Sequence, residues 1–225
     1  QRYRPSLEEV SALAQHATVI PIYRELDADL ETPVSAFLKV AHGPYAFLLE
    51  SVEGGERLAR YSFIGTDPFL VVELDDGVAR LRSTGVRETL AASALASFGG
   101  ADYYGHPAQE QRVTFEDPLR FLANLLGRYR TVHLPDMPRF LGGAVGYLGY
   151  ETIRYFEPRV PAAPQDTLGL PEAVFLFVDS MLVFDHLERT IAVVSHVHVE
   201  DGVPLERAYA EAVERIERLV DRLRR

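Results

Sequence analysis

Apolar runs joined by tight turn signals recur along this chain, and they constrain its fold more than any other feature. Within "FLVVELDDGVARLRS", Asp76-Gly77 separates two alternating runs and is typical of a two-residue hairpin turn. "PYAFLLESVEGGERLARYSFIG" predicts a second hairpin that turns at Gly54-Gly55. The runs "VFLFVDSMLVFD" and "TIAVVSHVHVE" predict a third. Strands that return directly as hairpins pair antiparallel.

Helices are predicted between these groups of strands. Residues suited to the first turn precede apolar runs of helical period at Ser6, Thr32, Asp117 and Pro204. The side chains expected to face the core are Val34, Phe37, Leu38 and Ala41 in the second helix and Leu119, Leu122, Leu125 and Leu126 in the third. Residues 84–116 carry weaker signals and are interpreted as a surface excursion. With no series of βαβ crossovers, the pattern predicts an α+β fold of antiparallel hairpins packed with helices.

Composition excludes several classes of function. The 33 acidic residues outnumber the 23 basic ones, and the net charge of -10 disfavours nucleic acid and anionic membranes as partners. The absence of cysteine removes disulfides, thiolate metal sites and cysteine nucleophiles. The longest apolar run is interrupted by Asp179 and is too short to span a bilayer. We therefore expect a soluble, cytoplasmic protein.

The glycine-rich segment "GGAVGYLGY", Gly142 to Tyr150, superficially resembles a phosphate-binding loop. A dinucleotide site would place these glycines between a strand and a helix, with an acidic residue some twenty positions later. Here they lie inside an aromatic run of strand character. The better interpretation is a bulge, a bend or a close approach of two backbones.

Two further polar groups have simple structural interpretations. His196 and His198 lie on one face of a predicted strand, at the spacing of two metal ligands, but no third ligand is evident nearby. An exposed strand face is the preferred interpretation. "DHLE", residues 185–188, resembles an acid-base cluster but falls where a hairpin must turn, so we expect a solvated turn.

Glu50 and Ser51 are the least expected residues of the chain, because they end an apolar run that resembles a core strand. In one interpretation Ser51 ends the strand and Glu50 faces water. In the other, the strand-end backbone and the Ser51 hydroxyl hold a small polar ligand. A zwitterionic amino acid suits such a site, since its ammonium group requires acceptors and its carboxylate requires donors.

The segments "FLLES", "ARYSFIG" and "GGAVGYLGYETIRYFE", in this order and spacing, closely resemble the N-terminal part of the large component of anthranilate synthase. The resemblance covers nearly the whole chain. It implies that residues 1–225 are the N-terminal regulatory and scaffold domain of a lyase that converts chorismate to anthranilate. In that family a glutamine amidotransferase component supplies ammonia, and L-tryptophan inhibits by feedback.

The resemblance also implies which residues bind the effector. Leu49, Glu50 and Ser51 would hold tryptophan at the strand end, and Arg60 takes the place of a basic group near the same pocket. Pro33 would be a supporting residue at most. The chorismate site, the acid-base groups and the ligands of Mg²⁺ belong to the family's C-terminal domain. No catalytic residue, metal ligand or cofactor is therefore predicted in these residues, and the chain alone is expected to be inactive.

Two alternatives remain open. The large component of aminodeoxychorismate synthase shares the architecture, and "LLES" and "RYSFIG" do not separate the two. A module of another class, which binds amino acids or proteins without an attached enzyme, is the second alternative. The chain stops in "RLVDRLRR", inside a periodic helix without a glycine cap, so we expect a gene-fragment boundary there.

Overall fold

The computed structural model describes residues 2–50, 60–83, 110–161 and 165–225. The chain divides into two compact units. Unit 1 comprises Gln1–Asp67, Tyr129–Gly143 and Val178–Arg225, and unit 2 comprises Pro68–Arg128 and Ala144–Phe177. Each unit is built on one five-stranded sheet, called sheet A in unit 1 and sheet B in unit 2. Antiparallel pairing and packed helices make the fold α+β, as predicted.

The regular elements follow the chain in this order. The helices are α1 Leu7–Leu13, α2 Pro33–Val40, α3 Pro118–Leu126 and α4 Leu205–Leu223, with a 3₁₀ helix at Tyr150–Tyr155. The strands are β1 Val19–Asp27, β2 Ala46–Leu49, β3 Tyr61–Thr66, β4 Leu70–Asp75, β5 Val78–Ser83, β6 Glu110–Thr114, β7 Gly143–Leu148, β8 Ala173–Val178, β9 Ser180–Asp185 and β10 Thr190–His198. Within the described ranges, no helix has both the length and the apolar character needed to cross a membrane.

The predicted turns and caps are confirmed where the structure describes them. β4 and β5 form a hairpin in which Asp75 lies opposite Val78. Asp76 and Gly77 take positive φ values of 45° and 73°, as a two-residue turn of this type requires. The helix caps at Ser6, Thr32 and Asp117 accept the expected backbone hydrogen bonds. β2 pairs antiparallel with β3, whereas the predicted turn at Gly54-Gly55 lies outside the described residues.

Two strand predictions were wrong. "VFLFVDSMLVFD" is two strands, because the chain leaves β8 in sheet B, passes Asp179 and enters β9 in sheet A. Only β9 forms the hairpin with β10. Both halves are apolar, so their periodicity cannot distinguish one long strand from two. The end of the predicted surface excursion, 110–114, is strand β6 paired with β5. Residues 84–109 lie outside the described residues.

The core of unit 1 covers both faces of sheet A. Side chains from α1, α2 and α4 pack on one face, including Val10, Ala36, Val40, Ile216 and Leu219. The segment that contains Leu134, Met137, Phe140 and Leu141 packs on the other face. β10 lies between β1 and β9, so its residues are enclosed by neighbours in the sheet as well as above and below it.

The predicted inward faces of two helices were partly wrong. In α2 the buried residues are Pro33, Ala36 and Val40, whereas Val34 and Leu38 are exposed. In α3, Phe121, Leu122 and Leu125 are buried, and Leu119 and Leu126 are exposed. A short helix with apolar residues around most of its circumference permits more than one inward face. The packing partner decides which face is buried.

The glycines of "GGAVGYLGY" permit close packing, as predicted. A Cβ at Gly146 would overlap the backbone carbonyl of Val174 in the adjacent strand β8. A Cβ at Gly142 would overlap the His196 ring, and the φ of Gly142, +154°, is one that other residues rarely adopt. These glycines lie in and before strand β7, and no helix follows them at once as a dinucleotide loop would require.

Candidate functional site

The predicted strand-end residues lie at the edge of sheet A. Leu49 ends β2 and lies opposite Phe63 of β3, so both side chains project from the same face of the sheet. Glu50 follows as an exposed residue with irregular backbone. Ser51 lies outside the described residues. The structure therefore describes the approach to the predicted ligand site but not its central hydroxyl.

Arg60 immediately precedes β3, and its guanidinium is held by a carboxylate. Nη2 lies 2.7 Å from Asp185 Oδ2, and Nε donates to both carboxylate oxygens at 3.1 Å. The guanidinium carbon lies 5.0 Å from the centre of the Tyr61 ring, within the range of a cation-π contact. β3 and β9 are paired, and Tyr61 lies opposite Asp185, which brings these groups together.

Asp185 gives the "DHLE" turn a second role. Its Oδ1 accepts hydrogen bonds from the backbone N–H groups of Leu187 and Glu188, which closes the turn. Burial opposes ionisation of this carboxyl, but the hydrogen bonds from Arg60 and the turn amides outweigh burial and lower its pKa. His186, Leu187 and Glu188 are exposed, as predicted for a solvated turn, whereas Asp185 is largely buried.

A cavity of about 450 Å³ lies beside Arg60. Arg60 and Tyr61 form part of its wall, and apolar lining comes from Met137, Val183 and Ala192. Four carboxylates also line it: Glu25, Asp136, Asp185 and Glu188. The apolar part suits an organic side chain, and the excess of carboxylates suits an ammonium group. A ligand carboxylate would have to share Arg60 with Asp185.

The structure brings together only some of the predicted site residues. Arg60 lines the cavity, and Leu49 lies on the same face of sheet A as Tyr61, because Tyr61 and Phe63 alternate with Ser62 along β3. Glu50 is not among the described residues that line the cavity. Pro33 lines a different cavity, of about 320 Å³, together with His186 and Arg189.

The sequence gave no simple signal for the acidic lining of the first cavity. Glu25, Asp136 and Asp185 come from three distant segments, and each is ordinary in its local context. Asp185 was visible only as a turn residue. Its pairing with Arg60 depends on the register between β3 and β9, which no local pattern encodes.

The prediction that His196 and His198 lie on an exposed face was wrong. They are only 5% and 6% exposed, because β10 is an interior strand of sheet A. Nδ1 of His196 donates to the Asp179 carbonyl at 2.8 Å, and Nε2 of His198 lies 3.3 Å from Asp179 Oδ2. Burial, and then the neighbouring His198, lower the pKa of His196 to about 4.

Arg215 of α4 completes this cluster. Its Nε donates to the Ser195 hydroxyl at 2.8 Å, and Nη2 donates to the His196 carbonyl at 2.6 Å. Nε also lies 3.8 Å from Asp179 Oδ2. We call Asp179, Ser195, His196, His198 and Arg215 the buried polar cluster. Among the residues that the structure describes, no three His, Asp or Glu side chains form a group able to hold a metal ion.

Comparisons with known proteins identify relatives over nearly the whole chain. Anthranilate synthase component 1 of Acetivibrio thermocellus is 40% identical over 214 residues, which are 95% of this chain and 38% of that protein. The Synechocystis protein of the same name is 39% identical over 219 residues, or 96% of this chain and 38% of the relative. A probable anthranilate synthase component 1 of Schizosaccharomyces pombe is 37% identical over 222 residues, or 97% and 37% of the respective chains.

This chain thus spans less than two fifths of the length of these relatives. No protein-family model matches it. Among solved structures, anthranilate synthase component I from Streptococcus pneumoniae TIGR4 aligns with a TM-score of 0.48 at 24% identity. That alignment covers 89% of this chain and 36% of the other.

Proposed function

We propose that this chain, a homologue of anthranilate synthase component 1 over about 95% of its length, is the N-terminal regulatory and scaffold part of such an enzyme. The longer cytoplasmic enzyme forms anthranilate from chorismate, with ammonia supplied by a glutamine amidotransferase, component II. The observation that carries the proposal is the 40% identity over 214 residues. The relatives named above are all anthranilate synthases, which favours this branch over aminodeoxychorismate synthase.

The chemistry of the reaction belongs to the part of the enzyme outside this chain. Mg²⁺, when bound there, neutralises charge on the anionic substrate. The described residues of this chain contain no group of carboxylates and histidines suited to the ion, so its ligands are assigned to the remaining part. This chain contributes binding and support instead.

The regulatory site that we propose is formed by Leu49, Glu50, Ser51 and Arg60. The tryptophan ammonium group binds acceptors at the end of β2, including the Ser51 hydroxyl. Two features support this location. Leu49 and Tyr61 share a face of sheet A, and the adjoining cavity has both an apolar wall and an excess of carboxylates. Arg60 supports the tryptophan carboxylate, in competition with Asp185.

Replacing Ser51 tests this site. In the longer enzyme, Ser51→Ala removes one hydrogen bond to a charged group, so we expect the inhibition constant of tryptophan to rise about ten- to a hundredfold. Uninhibited turnover should change little, because the hydroxyl contacts the effector and not the substrate. The measurement is a tryptophan titration of anthranilate formation, which also identifies the product. Arg60→Ala should act in the same direction.

Ser11→Ala, on the exposed side of α1, is the matched control and should leave inhibition unchanged. Equal inhibition of the wild type and Ser51→Ala would remove the site assignment. Loss of turnover at equal stability would show instead that Ser51 has a catalytic or structural role. An active enzyme that yields aminodeoxychorismate would replace the proposed reaction with that of the folate branch.

A further inference from the structure

Unit 2 exposes six large apolar side chains on two adjacent segments. We call them the β7 patch: Tyr147, Leu148, Tyr150, Phe156, Leu168 and Leu170. Their exposed fractions range from 39% for Leu148 to 82% for Tyr150. Single exposed apolar residues are ordinary on protein surfaces, but a contiguous group indicates an interaction site.

Hydrogen bonds hold the two segments of the patch side by side. The Tyr147 hydroxyl donates to the Pro171 carbonyl at 2.9 Å, and the Gly149 N–H donates to the Glu172 carbonyl at 2.7 Å. β7 is also the last strand of sheet B, so one of its edges has no partner strand among the described residues. The patch therefore combines apolar side chains with an open strand edge, which can accept another polypeptide segment.

The base of the patch is rigid. The Tyr155 hydroxyl donates to Glu172 Oε2 at 2.7 Å and accepts from the Gly77 N–H at 2.8 Å. Arg154 donates to the other oxygen of the same carboxylate at 2.6 Å. Burial, and then the bond to Glu172, raise the pKa of Tyr155 to about 12, so the phenol remains a donor at neutral pH. A surface fixed in this way loses little conformational entropy when a partner binds.

We propose that the β7 patch docks the part of the longer polypeptide that the relatives carry beyond the region matched by this chain. This inference rests on the proposed function, which makes the chain a portion of a longer enzyme. The relatives support the choice of partner, because about three fifths of each one lies outside the match and is covalently joined to it.

The size of the patch also favours a tethered partner. At about 150–250 Å² for a large side chain, the exposed fractions leave on the order of 600 Å² of apolar surface. A stable complex of separate proteins buries about 800 Å² on each partner. A segment of the same polypeptide docks at an effective concentration near the millimolar range, so a smaller surface is sufficient.

Hydroxyl-radical footprinting of the longer gene product, beside the 225-residue chain, tests the docking. We expect oxidation of Tyr150 and Leu168 to be about fivefold slower in the longer protein, since residues in the core of an interface lose most of their exposure. Leu30 and Leu38 of unit 1 are equally exposed apolar residues and serve as controls, with unchanged rates. Protection of Leu30 and Leu38, without protection of Tyr150 and Leu168, would overturn the proposal.

The double variant Tyr150→Ser, Leu168→Ser separates docking from folding. In the longer protein it should lower the melting temperature by about 5–10 °C, and in the 225-residue chain it should change it little. Val34→Ser with Leu38→Ser is the matched control, with no such difference between the two proteins. An equal loss of stability in both proteins would make the patch part of the fold of unit 2 and overturn the proposal.

Other occupants give different results, and each would overturn the docking. Protection of Tyr150 that rises with the concentration of the 225-residue chain would assign the patch to a second copy. Protection that requires added component II would assign it to that subunit. Anthranilate formation by the longer protein is measured in parallel. Anthranilate without protection overturns the docking alone, whereas protection without anthranilate overturns the proposed function and supports the docking.

Discussion

Unit 1 buries ionisable side chains, and unit 2 exposes apolar ones. In unit 1, Asp179 and Arg215 lie in the core of the unit, only 4% and 7% exposed. In unit 2, Tyr150 and Leu168 are in contact with solvent. Both arrangements are unfavourable in isolation, since buried charge loses hydration and exposed apolar surface orders water. The charges of unit 1 have partners within the unit, whereas the patch of unit 2 has none among the described residues.

This difference shows which feature requires a partner outside the chain. The guanidinium of Arg215 donates to Ser195 and to the His196 carbonyl, and its charge faces Asp179. The buried polar cluster is therefore explained by the stability of unit 1. The β7 patch is not explained by the stability of unit 2, because its side chains bury little area there.

Removing Arg215 should have the largest effect. Arg215→Met leaves the Asp179 carboxylate buried without its cation, so we expect a loss of about 3–5 kcal/mol in the free energy of unfolding. Arg218→Met, on the exposed side of the same helix, should change the free energy by less than about 0.5 kcal/mol. Urea unfolding of the two variants measures the difference. Equal stabilities would mean that the cluster contributes nothing and that the contrast between the units is wrong.

Gly146→Ala should have the next largest effect and locates what limits unit 2. The added Cβ meets the Val174 backbone carbonyl, which cannot rotate away, so we expect a loss of about 3 kcal/mol. Gly127→Ala in the same unit, at the end of α3 with an ordinary φ of -61°, is the control, with an expected change below about 1 kcal/mol. Thermal unfolding compares them. A stable Gly146→Ala protein would show that β7 and β8 are not in close contact.

Acid should destabilise unit 1 through His196. The pKa of His196 in the folded protein is about 4, below its ordinary value of 6.5. The unfolded chain therefore binds a proton that the folded protein does not, and stability falls as the pH falls from 6.5 towards 4. The loss from this one group is about 2 kcal/mol at pH 5. The surrounding ionisable groups are Asp179, His198 and Arg215.

Urea unfolding of the wild type and His196→Gln between pH 7 and pH 5 isolates this contribution, since glutamine does not titrate. The stability of the variant should depend less on pH, by about 2 kcal/mol over this range. His16→Gln, at an exposed position, is the control and should retain the pH dependence of the wild type. Parallel curves for the wild type and His196→Gln would place the acid sensitivity elsewhere.

Local patterns predicted the elements of this fold well. The capping box at Ser6 and Glu9, the Asp76-Gly77 turn and the close approach at Gly146 all depend on residues near in sequence. The choice of buried face in α2 and the division of one apolar run at Asp179 were not predictable in this way. Several arrangements bury a similar amount of apolar surface locally, and only the packing of distant segments selects among them.

The candidate site shows the same limit. The apolar run that ends at Leu49 and Glu50 drew attention to the strand end, and the resemblance supplied Ser51 and Arg60 as candidates. The pairing of Arg60 with Asp185, the carboxylates around the cavity and the burial of His196 became visible only in the structure. These groups come from strands and loops that are distant in the chain, so no spacing in the sequence relates them.

The sequence by itself determined the α+β class, the turns, the helix caps and the family likeness, because each depends on residue type within a short window or on motifs in order. The tertiary structure decided which sheet each strand joined, which side chains lost contact with water and where the apolar surface remained open. The physical reason is that burial is a property of the assembled molecule. A histidine on an interior strand and one on an edge strand have the same local sequence, and only their neighbours from other segments distinguish them.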